Sequence, residues 1–248
     1  MVDIHTHILP GVDDGAQDLE EALEMAWIAV ECGVESLVCT PHGNLPGMYE
    51  NYENGQMSEV FLEFRQRLKK EQVPLQVYRG MEIFVTPDVT ERMLNNEVVS
   101  INGSGYYLVE FAFDESPDFM GEILYEMQEL GAKPILAHPE RYYCVQDYPG
   151  FLNAWVKNGV HIQVNRGSFF GRFGRHAEEA AYAMLHHNMI TCIASDAHSP
   201  MQRTTFLGDI YRMLCSEYSE EMAKMLLEIN PKRVISGKEI ERNHIIPF

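Results

Sequence analysis

The chain has 248 residues, of which 46% are hydrophobic, 23% charged and 10% aromatic, an ordinary composition for a globular protein. Its 37 acidic residues against 19 basic ones give a formal net charge of −18, so its surface repels phosphate backbones and anionic lipid. No apolar run approaches the roughly 18 residues that a membrane span needs. We therefore expect no nucleic-acid partner and no membrane insertion, and an anionic substrate would require cations concentrated locally.

The cysteines and the beginning of the chain indicate the compartment. The five cysteines form no CxxC pair and are odd in number, a usage typical of thiols in a reducing cytoplasm. They are Cys32, Cys39, Cys144, Cys192 and Cys215. The first residues lack the basic and apolar regions of a secretory signal. We therefore expect a cytoplasmic protein.

Short apolar runs alternate with helical patterns along the chain. The first helix is predicted over residues 19–30, with Asp18 as N-cap and Gly33 as its end. The runs predicted as strands cover residues 2–4, 34–39, 74–78, 106–109, 134–137, 160–164 and 190–194. Further helices are predicted over residues 57–68, 123–130, 149–158, 176–187, 203–216 and 219–229, the last capped by Ser219 and ended by Pro231.

This alternation predicts an α/β fold with a parallel sheet, because the strands are apolar on both faces. Without a linker or a charge run, one closed barrel of seven strands over residues 1–248 is favoured over two domains. An open doubly wound sheet is the alternative, although no GxGxxG follows the first strand. Two long loops, residues 43–56 and 167–174, are predicted to act as lids or substrate loops.

Six of the seven predicted strands are followed by side chains that can bind a metal ion. In chain order these are His5 with His7, His42, Glu82, Glu110, His138, and Asp196 with His198. Because all carboxyl ends of a parallel barrel open onto one face, these residues should converge there. Imidazoles and carboxylates together are ligands of Mn²⁺, Fe²⁺ or Zn²⁺, and they are too many for a single ion. The sequence therefore predicts a metal centre with more than one ion.

With these residues in place, the chain resembles the PHP (polymerase and histidinol phosphatase) family over positions 1 to about 238. Within that family it is most similar to the bacterial manganese-dependent protein tyrosine phosphatases of capsule and exopolysaccharide loci. The motifs that carry the resemblance are Asp3-Ile4-His5-Thr6-His7, Gly11-Val12-Asp13-Asp14-Gly15, Thr40-Pro41-His42, Gly80-Met81-Glu82, His138-Pro139-Glu140-Arg141, Ser195-Asp196-Ala197-His198, Asn230-Pro231 and Gly237-Lys238.

The resemblance implies a distorted seven-stranded TIM-like barrel with up to three metal ions, Mn²⁺ with Fe or Zn as alternatives. The implied ligand sets are His5, His7, Glu82 and Asp196; Glu82, Glu110 and His138; and Asp14, His42 and His198, with Glu82 bridging. It also selects Asp14 over Asp13, which spacing alone does not. Arg141 and Arg203 fall at the positions where the family binds the substrate phosphate, and His42 or His198 could supply a proton to the leaving group.

The implied activity is hydrolysis of phosphotyrosine by a metal-bound hydroxide, on the tail of an autophosphorylating bacterial tyrosine kinase that controls polysaccharide assembly. None of the cysteines is followed by arginine at the sixth position, so a thiol-based phosphatase is disfavoured. The aromatic residues of the 169–173 loop, with Tyr49 or Tyr52, could flank the phosphotyrosine ring or pack under their own loops.

Three alternatives remain. A histidinol-phosphate or other small-molecule phosphatase would use the same metal ions and differ only in substrate. A TatD-like nuclease also begins with HxH on a barrel, but the charge of −18 without a basic stripe argues against it. A metal-stabilised regulatory module would do no chemistry, which a complete ligand set with two arginines disfavours. The sequence does not indicate an oligomeric state.

Overall fold

The computed structural model describes residues 1–53, 55–240 and 244–248, and nine strands alternate with helices along these residues. The strands are β1 (Val2–Thr6), β2 (Ser36–Cys39), β3 (His42–Gly43), β4 (Gln76–Arg79), β5 (Glu82–Phe84), β6 (Tyr106–Glu110), β7 (Lys133–Ala137), β8 (His161–Asn165) and β9 (Cys192–Ala194). The helices are α1 (Leu19–Glu31), α2 (Gly55–Lys70), α3 (Val89–Leu94), α4 (Pro117–Glu129), α5 (Tyr143–Asp147), α6 (Phe151–Lys157), α7 (Arg175–His186), α8 (Gly208–Glu217), α9 (Glu220–Lys224) and α10 (Asn230–Ile235).

The strands form two sheets with parallel pairing throughout, in the orders β1-β2-β4 and β3-β5-β6-β7-β8-β9. The two sheets are connected beside β1 and β9, where Thr6 and Ala197 form a parallel bridge. Two backbone bonds flank that bridge: His7 N–H donates to Ala197 (2.8 Å) and Asp196 N–H donates to His5 (2.9 Å). The α/β class and the parallel arrangement are as predicted.

The predicted number of seven strands is wrong, because two short strands that were not predicted, β3 and β5, follow β2 and β4 after breaks of two residues. Thr40 and Pro41 separate β2 from β3, and Pro41 has no N–H to donate to a ladder. Gly80 and Met81 separate β4 from β5. A Cβ at Gly80 would lie 2.8 Å from Val38 Cγ1, so only glycine allows the chain after β4 to approach β2 this closely.

The helix predicted from residue 123 begins at Pro117, and two predicted helix boundaries near the carboxyl terminus are also wrong. The helix predicted from residue 203 begins at Gly208, because Arg203 has a left-handed backbone (φ 45°) that a helix cannot contain. Pro231 does not end the last helix, since a π-helical turn over Met225–Ile229 leads directly into α10. Pro231 lies in the first turn of α10, where its missing N–H costs nothing. Asp18 and Ser219 cap their helices as predicted.

Most strands bury both faces, which explains the continuous apolar runs, whereas β4 is exposed or half-buried along its length. In β6, Leu108 packs in a cluster with Ile4 and Ile135, whereas Val109 packs in the larger cluster under the helices. This follows from the period of two, which sends successive side chains to opposite faces. Both sides of the sheets are thus covered, and polar side chains are left to the strand ends. Among the described residues, no helix combines the length and apolarity needed to cross a bilayer.

Candidate functional site

The nine predicted ligand residues lie together, most of them at or just after the carboxyl ends of strands, whereas His42 and Glu82 are the first residues of β3 and β5. Four belong to strands and four follow a strand within a few residues, and Asp14 lies in the long connection after β1. The strand residues are His5, His42, Glu82 and Glu110, and those after strands are His7, His138, Asp196 and His198. Parallel pairing brings these ends to one face, so residues up to 193 positions apart in sequence meet in one cluster.

Three residues at this face have a left-handed backbone although none is glycine. The φ angles are 35° at His138, 50° at Asp196 and 45° at Arg203. Such conformations cost of order 1–3 kcal/mol each and persist only where the surroundings impose them. Their concentration at this face indicates that a local loss of stability is tolerated because it directs these three side chains toward a common point.

Glu82 is the centre of the cluster. Its Oε1 lies 2.9 Å from His138 Nε2 and 3.2 Å from His5 Nε2. Its Oε2 lies 3.1 Å from His42 Nδ1 and 3.2 Å from His7 Nε2. One carboxylate therefore touches four imidazoles through two oxygens, the arrangement of a carboxylate shared between metal ions.

Four groups of side chains have donor atoms within 4.8 Å of one another. They are His7, Asp14, His42 and His198; His5, His7 and Asp196; His5, Glu82 and His138; and His42, Glu82 and Glu110. The set Asp14, His42 and His198 implied by the family resemblance falls inside the first group, with His7 added. Glu82 belongs to two groups, as do His5, His7 and His42, and neither of the other two implied sets forms a single group.

The protonation of two histidines shows that the donor set suits a cation. His7 Nδ1 lies 2.7 Å from Asp13 Oδ2 and His5 Nδ1 lies 2.9 Å from Gln163 Oε1, so both rings carry their proton on Nδ1 when neutral. Their Nε2 lone pairs then face each other across 3.3 Å, and both face Asp196 Oδ1 at 3.4 Å. In the neutral rings these atoms are all acceptors, and a divalent cation would satisfy them together. In the metal-free protein burial disfavours the charged rings, but the attraction of the neighbouring carboxylates outweighs burial and raises the pKa of both histidines, so protons compete with a cation for this place.

A chain of buried amides fixes that protonation. Asp196 Oδ2 can only accept, so Asn165 donates to it from Nδ2 (2.6 Å) and presents Oδ1 to Gln163. Gln163 then donates to Asn165 from Nε2 (2.8 Å) and presents Oε1 to His5. Every bond has one possible direction. Gln163 and Asn165 therefore connect two candidate ligands, His5 and Asp196, and all four residues are buried.

Sequence reasoning assigned no role to these supporting residues. Gln163 and Asn165, with His161, are alternate polar positions of β8, so they share one face of the strand, and this pattern could have revealed them. Asp13 accepts from His7 and from the backbone N–H of His42 (2.9 Å), which places it behind the ligands, whereas Asp14 lies among them. The choice of Asp14 thus agrees with the arrangement of the side chains.

The surroundings shift the pKa values of the buried carboxylates in different directions. Burial raises the pKa of Glu82, but the attraction of His5 and His42 holds it well below its usual range. Asp196 likewise has a pKa held well below its usual range, since Arg203 and His5 outweigh burial. Burial and the charges on Glu82 and Asp196 raise the pKa of Glu110 well above its usual range. A bound cation would offset both effects and favour the charged form of Glu110.

Two arginines complete the site on one side of the cluster. Arg203 Nη2 lies 2.5 Å from Asp196 Oδ2, and Arg141 Nη1 lies 3.6 Å from the same oxygen. The Arg141 guanidinium lies between two aromatic rings, 4.4 Å from the centre of Phe113 and 4.5 Å from that of Phe173. Phe173 also lies 5.6 Å from the Arg203 guanidinium. Both cations are therefore held at the rim by one carboxylate and by aromatic faces.

A cavity of about 290 Å³ opens over the cluster. Its lining contains candidate ligands together with Arg141 and Arg203. The lining also includes apolar side chains, among them Leu45, Phe84 and Phe113. The arrangement can bind an anionic group between cations and hold an apolar group beside it.

The aromatic residues predicted to flank a substrate ring have different positions. Phe169 is buried against Tyr182, with ring centres 5.3 Å apart, so it packs under its own loop. Tyr52 is covered by the Arg92 guanidinium at 4.8 Å. Tyr49 stacks on His42 with an interplanar angle of 7°, and Phe173 covers the two arginines. Residue 54 of the predicted 43–56 loop lies outside the described residues.

The cysteines take no part in the cluster. Cys39 and Cys192 are fully buried within strands, and burial raises the pKa of both thiols. Cys32, Cys144 and Cys215 are half-buried and likewise form no disulfide. A thiolate nucleophile therefore has no place in the arrangement that the described residues form.

Comparisons with known proteins agree with this geometry. Tyrosine-protein phosphatase YwqE of Bacillus subtilis is 36% identical over 242 residues, covering 98% of this chain and 94% of that protein. Tyrosine-protein phosphatase CpsB of Streptococcus pneumoniae is 30% identical, covering 97% and 100%. A crystal structure from work on YwqE and CpsB, described as unique metal-dependent tyrosine phosphatases, superposes with a TM-score of 0.93 at 34% identity over 100% of this chain and 99% of that one.

The family model that matches covers almost the whole chain. It spans residues 1–236 and is described as capsular polysaccharide synthesis, CpsB/CapC. That range contains all nine candidate ligands and both arginines. The protein belongs to the CpsB/CapC family of capsular polysaccharide synthesis.

Proposed function

We propose that this protein is a metal-dependent protein tyrosine phosphatase. The observation that carries the proposal is the cavity itself. It is lined by a cluster of imidazoles and carboxylates, by a pair of arginines and by apolar side chains. The named activity of the relatives YwqE and CpsB supports the same reaction. A phosphate monoester with an aromatic leaving group matches all three parts of the cavity.

The resident metal is Mn²⁺ in this proposal, with Fe and Zn as the alternatives. His5, His7, Glu82, Asp196, Glu110, His138, Asp14, His42 and His198 would hold up to three ions. Mixed imidazole and carboxylate ligands suit Mn²⁺ better than thiolate-rich sites would. Bound divalent cations supply an activated water as nucleophile and neutralise phosphate oxygens.

The arginines bind the phosphate oxygens that face away from the cluster. A guanidinium matches two phosphate oxygens with its planar fork, and two of them neutralise charge that builds up during transfer. Asp196 already holds Arg203 and approaches Arg141 in the free protein, so both are ordered before the substrate arrives. That ordering lowers the entropy lost on binding.

The apolar side chains that line the cavity favour an aryl phosphate over the phosphate of a small polar alcohol. Leu45, Phe84 and Phe113 would contact the ring of phosphotyrosine, whereas histidinol phosphate would leave its ammonium beside these side chains. A phenolate leaving group has a pKa of about 10, so it needs less protonation than the alkoxide of serine. Burial lowers the pKa of both His42 and His198, which are therefore neutral at pH 7 and act as ligands more readily than as proton donors.

Several further features belong to the proposal. The substrate is a phosphotyrosine protein, the tail of a bacterial tyrosine kinase that controls capsule or exopolysaccharide synthesis, and free thiols support action in the cytoplasm. Residues 1–248 form one domain in which the two sheets make a single distorted barrel. Support comes from the bridge between Thr6 and Ala197, and from the bond of Glu82 N–H to Pro41 (3.1 Å) at the breaks that precede β3 and β5.

The test is a comparison of substrates on protein that has been stripped with chelator and reloaded with Mn²⁺. A phosphotyrosine peptide, a phosphoserine peptide and histidinol phosphate would be assayed in parallel for phosphate release. We expect Mn²⁺-dependent release from the phosphotyrosine peptide. His138→Ala should lose at least about 100-fold in kcat/KM, because loss of even an outer partner of a ligand costs 10–100-fold. The matched control is His186→Ala, at an exposed histidine of α7.

Other outcomes would redirect the assignment. A preference for histidinol phosphate would retain the metal centre but make the protein a small-molecule phosphatase. No release from any of the three substrates by metal-loaded protein would overturn the enzymatic proposal. Equal losses in the two histidine variants would show that the assay does not report on the cluster.

A further inference from the structure

A second cavity adjoins the one that covers the cluster. It has a volume of about 360 Å³ and shares Phe113 and Arg141 with the first cavity. From there it continues past Phe173 and Tyr143 to Arg175 at the beginning of α7. We call it the side groove. Because one arginine lines both spaces, a peptide with its phosphate in the first cavity has neighbouring residues within reach of the side groove.

The charge of the side groove is opposite to that of the whole protein. The chain has 37 acidic residues, yet none of the described residues that line the side groove is acidic. The lining contains Arg141, Arg175 and His176. Arg175 donates from Nε to Glu179 (2.8 Å), which engages one of its five N–H groups, and its side chain is 85% exposed. On an acidic surface this is a local concentration of cations beside the cluster.

We propose that the side groove is a subsite for an anionic side chain of the substrate, next to the phosphotyrosine in the peptide. The inference rests on the proposed phosphatase function and adds the sequence context that the enzyme prefers. Guanidinium groups recognise carboxylate and phosphate oxygens through paired N–H donors. The acidic surface elsewhere repels such a peptide, so the side groove also determines the direction in which it lies.

The aromatic residues of the side groove support an extended peptide there. Phe113 and Phe173 cover both sides of Arg141, and the half-exposed Tyr143 ring lies farther along. These side chains offer apolar contact to the peptide between its two anionic groups. Successive residues of an extended chain are about 3.3–3.6 Å apart, so the anionic side chain falls within a few positions of the phosphotyrosine.

The experiment compares phosphotyrosine peptides that differ only beside the phosphotyrosine. One series places glutamate at each of the three positions on either side, a second places sulfotyrosine there, and the reference peptide has alanine throughout. We expect one side of the phosphotyrosine to respond, with kcat/KM about threefold to tenfold above the reference. This is the scale of a partly exposed ion pair, and 0.5 M salt should reduce it.

The variant that tests the side groove is Arg175→Glu, and its matched control is Arg65→Glu, at an exposed arginine of α2 outside both cavities. The readout is the ratio of kcat/KM between the anionic and the alanine peptide within each protein. We expect Arg175→Glu to abolish or invert this ratio and Arg65→Glu to preserve it. A gain with glutamate assigns the subsite to carboxylates, and a gain confined to sulfotyrosine assigns it to an aromatic anion.

The proposed subsite and the phosphatase function on which it rests can be refuted separately. If no phosphotyrosine peptide is hydrolysed, the proposed function is wrong. If the reference peptide is hydrolysed and no anionic neighbour changes kcat/KM, the function stands and the subsite is wrong. The subsite is equally excluded if the preference survives Arg175→Glu, or if Arg65→Glu removes it to the same extent.

Discussion

Replacing Gln163 by leucine tests whether the buried amide chain orients the candidate ligand His5. Leucine is one atom shorter and neither accepts from His5 Nδ1 nor donates to Asn165 Oδ1, bonds of 2.9 and 2.8 Å in the structure. Both partners are fully buried, so water does not replace the lost bonds. Each unsatisfied group costs about 1–3 kcal/mol, so the two together predict a loss of about 2–6 kcal/mol in the free energy of unfolding of the metal-free protein.

The same replacement should weaken metal binding. Without an acceptor at Nδ1, the His5 ring is free to turn and to move its proton to Nε2, the atom that faces the cluster. Loss of such a partner costs 10–100-fold in metal affinity, or about 1.4–2.8 kcal/mol. Gln163→Glu keeps an acceptor for His5 and should retain most of the affinity, while losing the donation to Asn165.

Two measurements check this prediction. Urea unfolding of the metal-free proteins gives the free energy of unfolding, and competition with a fluorescent chelator gives the Mn²⁺ dissociation constant. Gln66→Leu, at an exposed glutamine of α2, is the matched control and should change neither value by much. If folded Gln163→Leu binds Mn²⁺ as tightly as the unsubstituted protein, the amide chain does not position His5 and the reasoning is wrong.

Three further outcomes are expected. Burial raises the pKa of Glu140 from 4.5 to about 7, so the folded state retains a proton that the unfolded state has lost and stability falls as pH rises through this range. Glu140→Gln should therefore gain up to about 3 kcal/mol over the unsubstituted metal-free protein at pH 9 and little at pH 4.5; equal pH dependence in urea unfolding contradicts this. Cys39→Ser and Cys192→Ser should keep phosphatase activity, and an inactive variant that folds and binds metal would refute the metal-centred site. Phe173→Ala should lower kcat/KM for a small aryl phosphate roughly threefold to thirtyfold, because its ring holds Arg141, and for a phosphotyrosine peptide by a larger factor, because the ring also lines the side groove; an unchanged kcat/KM for the aryl phosphate would show that the ring does not hold Arg141.

The convergence of the candidate ligands could be predicted from sequence because it depends on a short-range pattern. Apolar runs mark the strands, and in a parallel sheet each strand end lies at the same face, so His5, Glu110 and Asp196 had to approach one another. The family that these motifs indicated is confirmed by the matching model and relatives. The breaks at Pro41 and Gly80, after which the short strands β3 and β5 begin, were missed. The apolar pattern reports burial and not the hydrogen bonding of the backbone.

The tertiary structure alone decided how the converging side chains are held. The bond from Gln163 to His5 joins residues 158 positions apart, and no local pattern encodes which amide atom faces which ring. The left-handed backbone of Arg203, which lets its guanidinium reach Asp196, likewise depends on neighbours that are distant in sequence. The identity and spacing of the residues therefore specify which groups reach the face that carries the candidate ligands. Their protonation and orientation follow from long-range packing and hydrogen bonds, which exist only in the folded chain.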